Sequence, residues 1–263
     1  MARPVIALLT DFGTRDHYVG AMKGVVLGIC PDAVLVDITH DIPPHDVLSG
    51  ALELAAAFKY FPMGAIFVAV VDPGVGSPRR AIAADSGGYR FVGPDNGVLA
   101  LVFKEARPQR VVEVTEPRYA RPTVSRTFEG RDRFAPAAAW LANGIELSAL
   151  GPAGDAWEVL PVPEAEVSVN QITGEVLRVD RFGNLVTNVD RATFQRFAAG
   201  GRVQVTAGPH AAGDVVGTYA DTEAGSVCVL FGSSDRLEVA VNGASAADRL
   251  GLTRSARIVI SRS

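Results

Sequence analysis

Basic excess, cysteine and long apolar runs are all scarce in this chain. Its 263 residues carry a formal charge of −4, and no basic stripe with interleaved aromatics occurs. That excludes a nucleic-acid binder whose main grip is electrostatic. Only two cysteines are present, Cys30 and Cys228. They lie far apart, outside any metal-ligand spacing and inside apolar patterns, so both read as reduced core residues. Of the four histidines, His40 and His45 flank Pro43-Pro44 while His17 and His210 stand alone, so no zinc signature exists. Walker A, G-x-G-x-x-G and G-x-S-x-G patterns are missing as well. No apolar run approaches a membrane span, and no signal-peptide h-region follows the N-terminus. These absences lead to the expectation of a cytoplasmic protein without a metal, a nucleic-acid partner or a membrane partner. What remains is apolar: 48% of the residues are hydrophobic, enough for a substantial core.

The first part of the chain alternates strand and helix signals. Val5 to Leu9, Ala33 to Ile38 and Ala65 to Val71 read as buried strands. His17 to Cys30 has helical apolar spacing, and Asp46 is a suitable N-cap for a helix running to about Phe61. Strands separated by helices of this length imply crossover units and a mostly parallel sheet. Further strands are expected at Ala81 to Ala84, Tyr89 to Val92 and Val111 to Val114, then a helix from about Phe134 to Asn143. Around Pro161, Pro163 and Glu164-Ala165-Glu166 the texture changes. Beyond it, short β-rich runs such as Glu175 to Val179, Leu185 to Val189, Val215 to Tyr219 and Arg236 to Val241 alternate with turns, with one helix at Ala244 to Leu250. That spacing fits a small β barrel or sandwich. The expected division is an N-terminal α/β domain at residues 1–163 and a C-terminal β domain at 164–263.

Three segments carry chemistry. In V-V-D-P-G-V-G-S-P-R-R, Asp72 ends an apolar run and Arg79 and Arg80 follow closely. Open α/β sheets build ligand sites at that end of their strands, where a paired Asp and Arg can orient a water or a cationic substrate. A surface turn with a solvated ion pair fits equally. In L-T-D-F-G, Asp11 ends another strand of the same expected sheet. There it can accept both hydroxyls of a ribose, or simply cap a helix. In T-F-E-G-R-D, four charges fall in the five positions from Glu129 to Arg133. Asp132 as N-cap and Glu129 in a surface pair account for them by composition alone. Farther on, D-R-F-G-N offers Phe182 for stacking and the Asn184 amide for a purine edge, or a β-turn with a core Phe.

Taken together the segments resemble the S-adenosyl-L-methionine hydroxide adenosyltransferases, relatives of the fluorinase and chlorinase enzymes. The resemblance rests on six ordered motifs: L-T-D-F-G at Leu9, D-P-G-V-G at Asp72, G-P-D-N-G at Gly93, T-F-x-G-R-D at Thr127, F-G-N at Phe182 and E-V-A-V-N-G at Glu238. It implies an α/β domain followed by a β-barrel domain, and a homotrimer whose active sites lie between subunits. It also implies a small-molecule substrate, S-adenosyl-L-methionine, with no cofactor. By resemblance Asp11 holds the ribose hydroxyls and Asp16 helps hold the methionine end. Phe182, Asn184, Asn242 and Gly243 frame the adenine, and Asp180, Ser233 and Ser234 bind the amino-acid part. The family positions its water with an Asp, an Arg and a His. Asp72 and Arg79 match the first two, but Glu129 stands where the family has histidine.

That departure still allows hydrolysis. Displacement at the ribose C5′ of a sulfonium releases neutral methionine, so no general acid is required. It needs an in-line oxygen nucleophile and an acceptor for its proton. Glu129 can be that acceptor. Two carboxylates also repel halide, and halide-using relatives carry an aromatic residue at the position of Asp72. The expected activity is therefore hydrolysis of S-adenosyl-L-methionine to adenosine and L-methionine, with Asp72, Arg79 and Glu129 catalytic. The rivals are a halogenase and a non-catalytic binder of S-adenosyl-L-methionine or adenosine.

Overall fold

The computed structural model describes residues 3–199 and 201–262. Within them the chain divides into two compact units, the first ending at Pro161 and the second beginning at Val162.

In the first unit, β1 (Val5–Thr10) has Ile6 and Leu8 in one core and Ala7 and Leu9 in another. This period of two, apolar on both sides, marks a strand covered on both faces. The elements follow as α1 (Tyr18–Ile29), β2 (Val34–Thr39), α2 (Val47–Ala57), β3 (Ile66–Val70), β4 (Ala81–Ser86), β5 (Tyr89–Pro94), α3 (Ala100–Glu105), β6 (Pro108–Glu113) and α4 (Ala135–Ala142). Asp46 caps α2 by accepting the Ser49 N–H at 3.1 Å. The sheet runs β2-β1-β3-β5-β4-β6. Its first three pairings are parallel, and β4 is antiparallel to both of its neighbours, so the sheet is mixed. One face packs on α1 and α4 through Met22, Val26 and Leu141. The other carries Leu54, Val102 and Phe103, with Phe67 and Phe91 stacked at 5.0 Å. A π-helical turn, Gly130–Phe134, leads into α4. Such turns add a residue to a helix, often at functional sites.

The second unit contains β7 (Glu166–Val167), β8 (Gln171–Val179), β9 (Leu185–Asp190), α5 (Arg191–Ala198), β10 (Val203–Ala207), β11 (His210–Ala211), β12 (Val227–Phe231), β13 (Arg236–Val241), α6 (Ala246–Leu250) and β14 (Arg257–Arg262). They form an antiparallel sheet ordered β11-β10-β14-β8-β9-β13-β12, with β7 beside β8. The long β8 serves both halves of this curled sheet, pairing with β14 through residues 171–175 and with β9 through residues 176–179. Two expectations are corrected. Val215 to Tyr219 is not a strand: Val215 makes one isolated bridge to Val229, and Tyr219–Asp221 is a 3-10 turn. In addition, α5 interrupts the β run unannounced. Its cap is Asp190, which accepts the Thr193 N–H at 2.7 Å, and Phe194 and Phe197 bury its inner face.

Candidate active site

Because β1 and β3 are adjacent and parallel, with Thr10 opposite Val70, Asp11 and Asp72 emerge at the same edge of the sheet. Between them lies a cavity of about 410 Å³. Asp11, His45, Asp72, Thr127, Glu129 and Gly130 line it, with Phe12, Tyr18 and Phe128 as an aromatic wall. The three rings meet at centroid distances of 5.1 to 5.9 Å. Asp11 Oδ2 accepts the His45 N–H at 2.8 Å.

Arg79 joins the two carboxylates expected to act. Its Nε donates to Asp72 Oδ1 at 2.9 Å, and Nη2 donates both to Asp72 Oδ2 and, at 2.6 Å, to Glu129 Oε2. The side chains of Asp72, Arg79 and Glu129 are 4%, 10% and 14% exposed, so these are interior contacts rather than a solvated surface pair. Burial alone lowers the affinity of Arg79 for its proton. The hydrogen bonds and charges of Asp72, then of Glu129, outweigh it and push the guanidinium above its ordinary pKa. The Arg79 guanidinium also lies 5.5 Å from the centre of the Phe134 ring. Glu129 reaches this position because it immediately precedes the π-helical turn, where Gly130 packs against Met22 and Phe12. Arg133 Nη2 stands 3.6 Å from its other oxygen.

The remaining motif residues hold this arrangement in place. At Gly76, φ is +78° and a β-carbon would stand 2.7 Å from the Arg126 carbonyl oxygen, so the D-P-G-V-G loop closes tightly on the T-F-E-G-R-D segment. Arg80 turns away from Asp72 and donates to buried Asp95 at 2.5 and 2.9 Å. Asn96 donates to the Val71 carbonyl at 2.8 Å, which fixes the backbone leading into Asp72. Asp132 is fully buried and is no N-cap. It binds Arg131 through both oxygens, accepts the Ser125 N–H at 2.9 Å and lies 3.5 Å from Arg121. Desolvation opposes its ionisation, but these partners hold its pKa below the usual carboxylate range. Asp16 is exposed and stands outside the cavity lining.

The second unit gathers a different cluster. Asp180 Oδ1 accepts the Phe182 and Asn184 N–H groups at 2.9 and 2.8 Å, and Oδ2 accepts the Asn184 amide at 2.9 Å. This closed turn needs Gly183 at φ +84°, and it leaves Phe182 78% exposed, so Phe182 is no core residue. Asn184 is buried and also donates to the Tyr219 hydroxyl at 3.3 Å. Ser233 and Ser234 occupy the turn between β12 and β13, and Ser234 Oγ is buried without a hydrogen-bond partner among the described residues. Asn242 donates to the Thr222 carbonyl at 2.8 Å, beside Gly243 at φ +78°.

Two members of this cluster escaped the sequence reading. Burial, then the charge of Asp180, pushes Glu238 above its ordinary pKa against the pull of Arg178. Burial, then Glu238 and Asp180, likewise raises Tyr219. Glu238 had a visible signal: it sits within a buried strand, where a lone carboxylate has no packing role. Tyr219 had none, because its segment reads as a strand. Among the described residues no group of three or more His, Cys, Asp or Glu side chains is placed to hold a metal ion, and no helix is long and apolar enough to cross a membrane.

Comparison with known proteins finds relatives along nearly the whole chain. Residues 6–151 match the SAM hydroxide adenosyltransferase N-terminal domain, and residues 174–259 match the C-terminal domain of the same name. An (R)-S-adenosyl-L-methionine hydrolase from Salinispora arenicola is 41% identical over 257 residues, 95% of each chain. A fluorinase from an Actinoplanes species is 30% identical over 230 residues, 77% of each chain. A crystal structure of an uncharacterized conserved protein from Thermotoga maritima superposes with a TM-score of 0.92 at 35% identity, covering 98% of this chain and 100% of that one.

Proposed function

The chain belongs to the SAM hydroxide adenosyltransferase family, and from that premise we propose how its own residues carry the reaction. It hydrolyses S-adenosyl-L-methionine to adenosine and L-methionine. The observation that carries the mechanism is the sharing of Arg79 by Asp72 and Glu129 at the edge of a cavity that Asp11 also lines.

In this reading Asp11 accepts the ribose hydroxyls and so sets C5′ against the Asp72–Glu129 pair. A water held by the two carboxylates attacks C5′ in line with the sulfur. The new bond is O–C5′ and the broken bond is C5′–S; sulfur keeps the electron pair and leaves as the neutral thioether of methionine. Glu129 takes the water's proton, and Arg79 keeps both carboxylates rigid. No group has to protonate the leaving sulfur, so the chemistry calls for no metal and no organic cofactor. A carboxylate about 4 Å from the sulfonium stabilises it by about 4 kcal/mol at an effective dielectric of about 20. The same charge repels chloride and fluoride, which disfavours halide as nucleophile.

Phe182, Asn184, Asn242 and Gly243 are assigned to the adenine, and Asp16, Asp180, Ser233 and Ser234 to the methionine end. The second sheet is assigned as a closed barrel: β11 (His210–Ala211) pairs with β10, and farther along the same segment Val216 donates to the Val229 carbonyl of β12 at 2.8 Å. A cytoplasmic homotrimer is the expected assembly, and light scattering at three chain masses tests it.

Incubating the protein with S-adenosyl-L-methionine and separating the products tests the reaction. Adenosine and methionine in equal amounts are expected. Unchanged substrate with measurable binding would point to a binding protein instead, and a 5′-halogenated adenosine in the presence of halide to a halogenase. Glu129→Ala should lower kcat by about 10²-fold or more, the usual contribution of a positioned base, with a much smaller change in KM. Glu129→His should retain activity. Equal rates in wild type and Glu129→Ala remove Glu129 from the mechanism.

A further inference from the structure

The turn that carries Asp11 is held from one side by a segment to which the mechanism assigns no role. β2 pairs with β1 in register up to Leu8 and Asp37, then shifts by one residue so that Leu9 faces Thr39. Such an irregularity at a strand end re-aims the chain that follows. Here it brings His40, 5% exposed, under Thr10, which is fully buried. His40 Nδ1 and Thr10 Oγ1 are 2.8 Å apart, and the same hydroxyl accepts the Phe12 N–H at 3.2 Å. The hydroxyl has a second lone pair beside the one facing Phe12, so it meets Nδ1 as donor or as acceptor according to which ring nitrogen carries the proton. Nε2 lies 2.9 Å from Asp37 Oδ1, although off the line of a good hydrogen bond. The other oxygen of Asp37 holds Lys23 Nζ at 2.7 Å.

Two backbone contacts complete the clamp. The Gly13 N–H donates to the His40 carbonyl at 2.7 Å. Five residues on, His45 adopts φ +68° and turns its N–H onto Asp11 Oδ2 at 2.8 Å. A left-handed conformation is costly for a histidine and persists only where its surroundings impose it. Thr10 and Gly13 are thus tied to His40, Phe12 is tied to Thr10, and Asp11 between them is tied to His45.

We propose that His40 is a positioning residue for the substrate-binding carboxylate: its ring and carbonyl fix the Thr10–Gly13 turn so that Asp11 meets the His45 N–H with one oxygen and presents the other to the cavity. The proposal rests on the reading that Asp11 receives the ribose. It explains why buried polar groups were built beneath a strand end where apolar packing would serve stability alone. Asp37 and Lys23 hold the ring from the far side, and Asp37 is kept ionised by Lys23 and His40 against its own desolvation.

The test is binding of the product adenosine by calorimetry, together with steady-state kinetics. Thr10→Val keeps the shape and removes the hydroxyl. It should weaken adenosine binding and raise KM about tenfold, the worth of an ordinary hydrogen bond, with kcat within about threefold of wild type. Thr10→Ser, which keeps the hydroxyl, should restore wild-type binding. Should Thr10→Val not fold, Asp37→Asn loosens the ring from its half-exposed side and should move binding in the same direction by a smaller factor. A melting temperature that falls while KM and adenosine affinity stay unchanged overturns the proposal. Asp11→Asn separates the two readings. If it leaves adenosine affinity intact, the ribose assignment fails and takes the proposal with it; if it weakens affinity while Thr10→Val and Asp37→Asn do not, only the positioning role fails.

Discussion

Asp72 and Glu129 in the first unit both hydrogen-bond to Arg79, whereas in the second burial and the charge of Asp180 raise the pKa of Glu238 against the pull of Arg178. Asp180 spends its oxygens on two backbone N–H groups and the Asn184 amide, and Glu238 lies buried beside it. The first arrangement fixes two carboxylates on one guanidinium at the cavity edge. The second uses one carboxylate as the scaffold of a tight turn and leaves the other costly to ionise. The two clusters thus carry different electrostatic signatures in one chain.

The sharpest way to break this contrast is Arg79→Ala. Removing the shared cation leaves two nearly buried carboxylates facing each other. Breaking a buried ion pair from one side typically costs about 3–5 kcal/mol of stability, so the melting temperature should drop, and kcat/KM should fall about 10²-fold or more as the base loses its fixed position. Arg79→Lys should recover little, because an ammonium cannot make the bidentate contact with Asp72 and reach Glu129 as well. If Arg79→Lys retains wild-type kcat/KM, the geometry of the fork is irrelevant and the first cluster is merely an ion pair.

A smaller effect is expected in the second unit. Asn184→Ala removes the amide that links Asp180 to the Tyr219 hydroxyl, and the loop loses its side-chain brace while Asp180 keeps its backbone contacts. Leaving buried polar groups unpaired costs about 1–3 kcal/mol. That predicts a rise in KM of about tenfold or more with kcat changed far less, measured by initial rates over a range of substrate concentrations. A fall in kcat with constant KM would mean that this cluster acts in the chemical step, and the division of labour would be lost.

How much of this was legible in the sequence follows the same division. β1 and β3 announced themselves because runs apolar on both faces have few other uses, and Asp72 and Arg79 were readable as a pair because seven residues and a stiff loop join them. Glu129 lies 50 residues from Arg79. Nothing local ties the two, and only the ordered motifs brought Glu129 into the set. His40 was passed over because a lone histidine beside prolines carries no signal until β1 and β2 are seen side by side. α5 was missed although D-x-x-T at Asp190 is a capping pattern, since eight residues between strands leave little room for helical periodicity to show. Burial and pairing across the sheet, the physical basis of both clusters, do not exist along the chain.

The smallest effect is the most discriminating, because it concerns Glu238 alone. Its carboxyl has a higher pKa in the folded chain than its ordinary 4.5. Between those two values the folded chain binds more protons than the unfolded one, so stability falls as pH rises through that window and stays lowered above it. Below the ordinary value both states are protonated and the penalty vanishes. Glu238→Gln is nearly isosteric and cannot ionise. Its melting temperature should therefore exceed that of wild type by about 2 °C at pH 8, the shift that 1 kcal/mol or less produces in a chain of this size, and the gap should close near pH 4. Asp72 and Glu129, tied to Arg79, give no reason to expect the same sign: Glu129→Gln weakens a contact to the guanidinium and should lower the melting temperature at pH 8. Opposite signs for two Glu→Gln substitutions at one pH are what the contrast between the clusters requires, and equal signs would erase it.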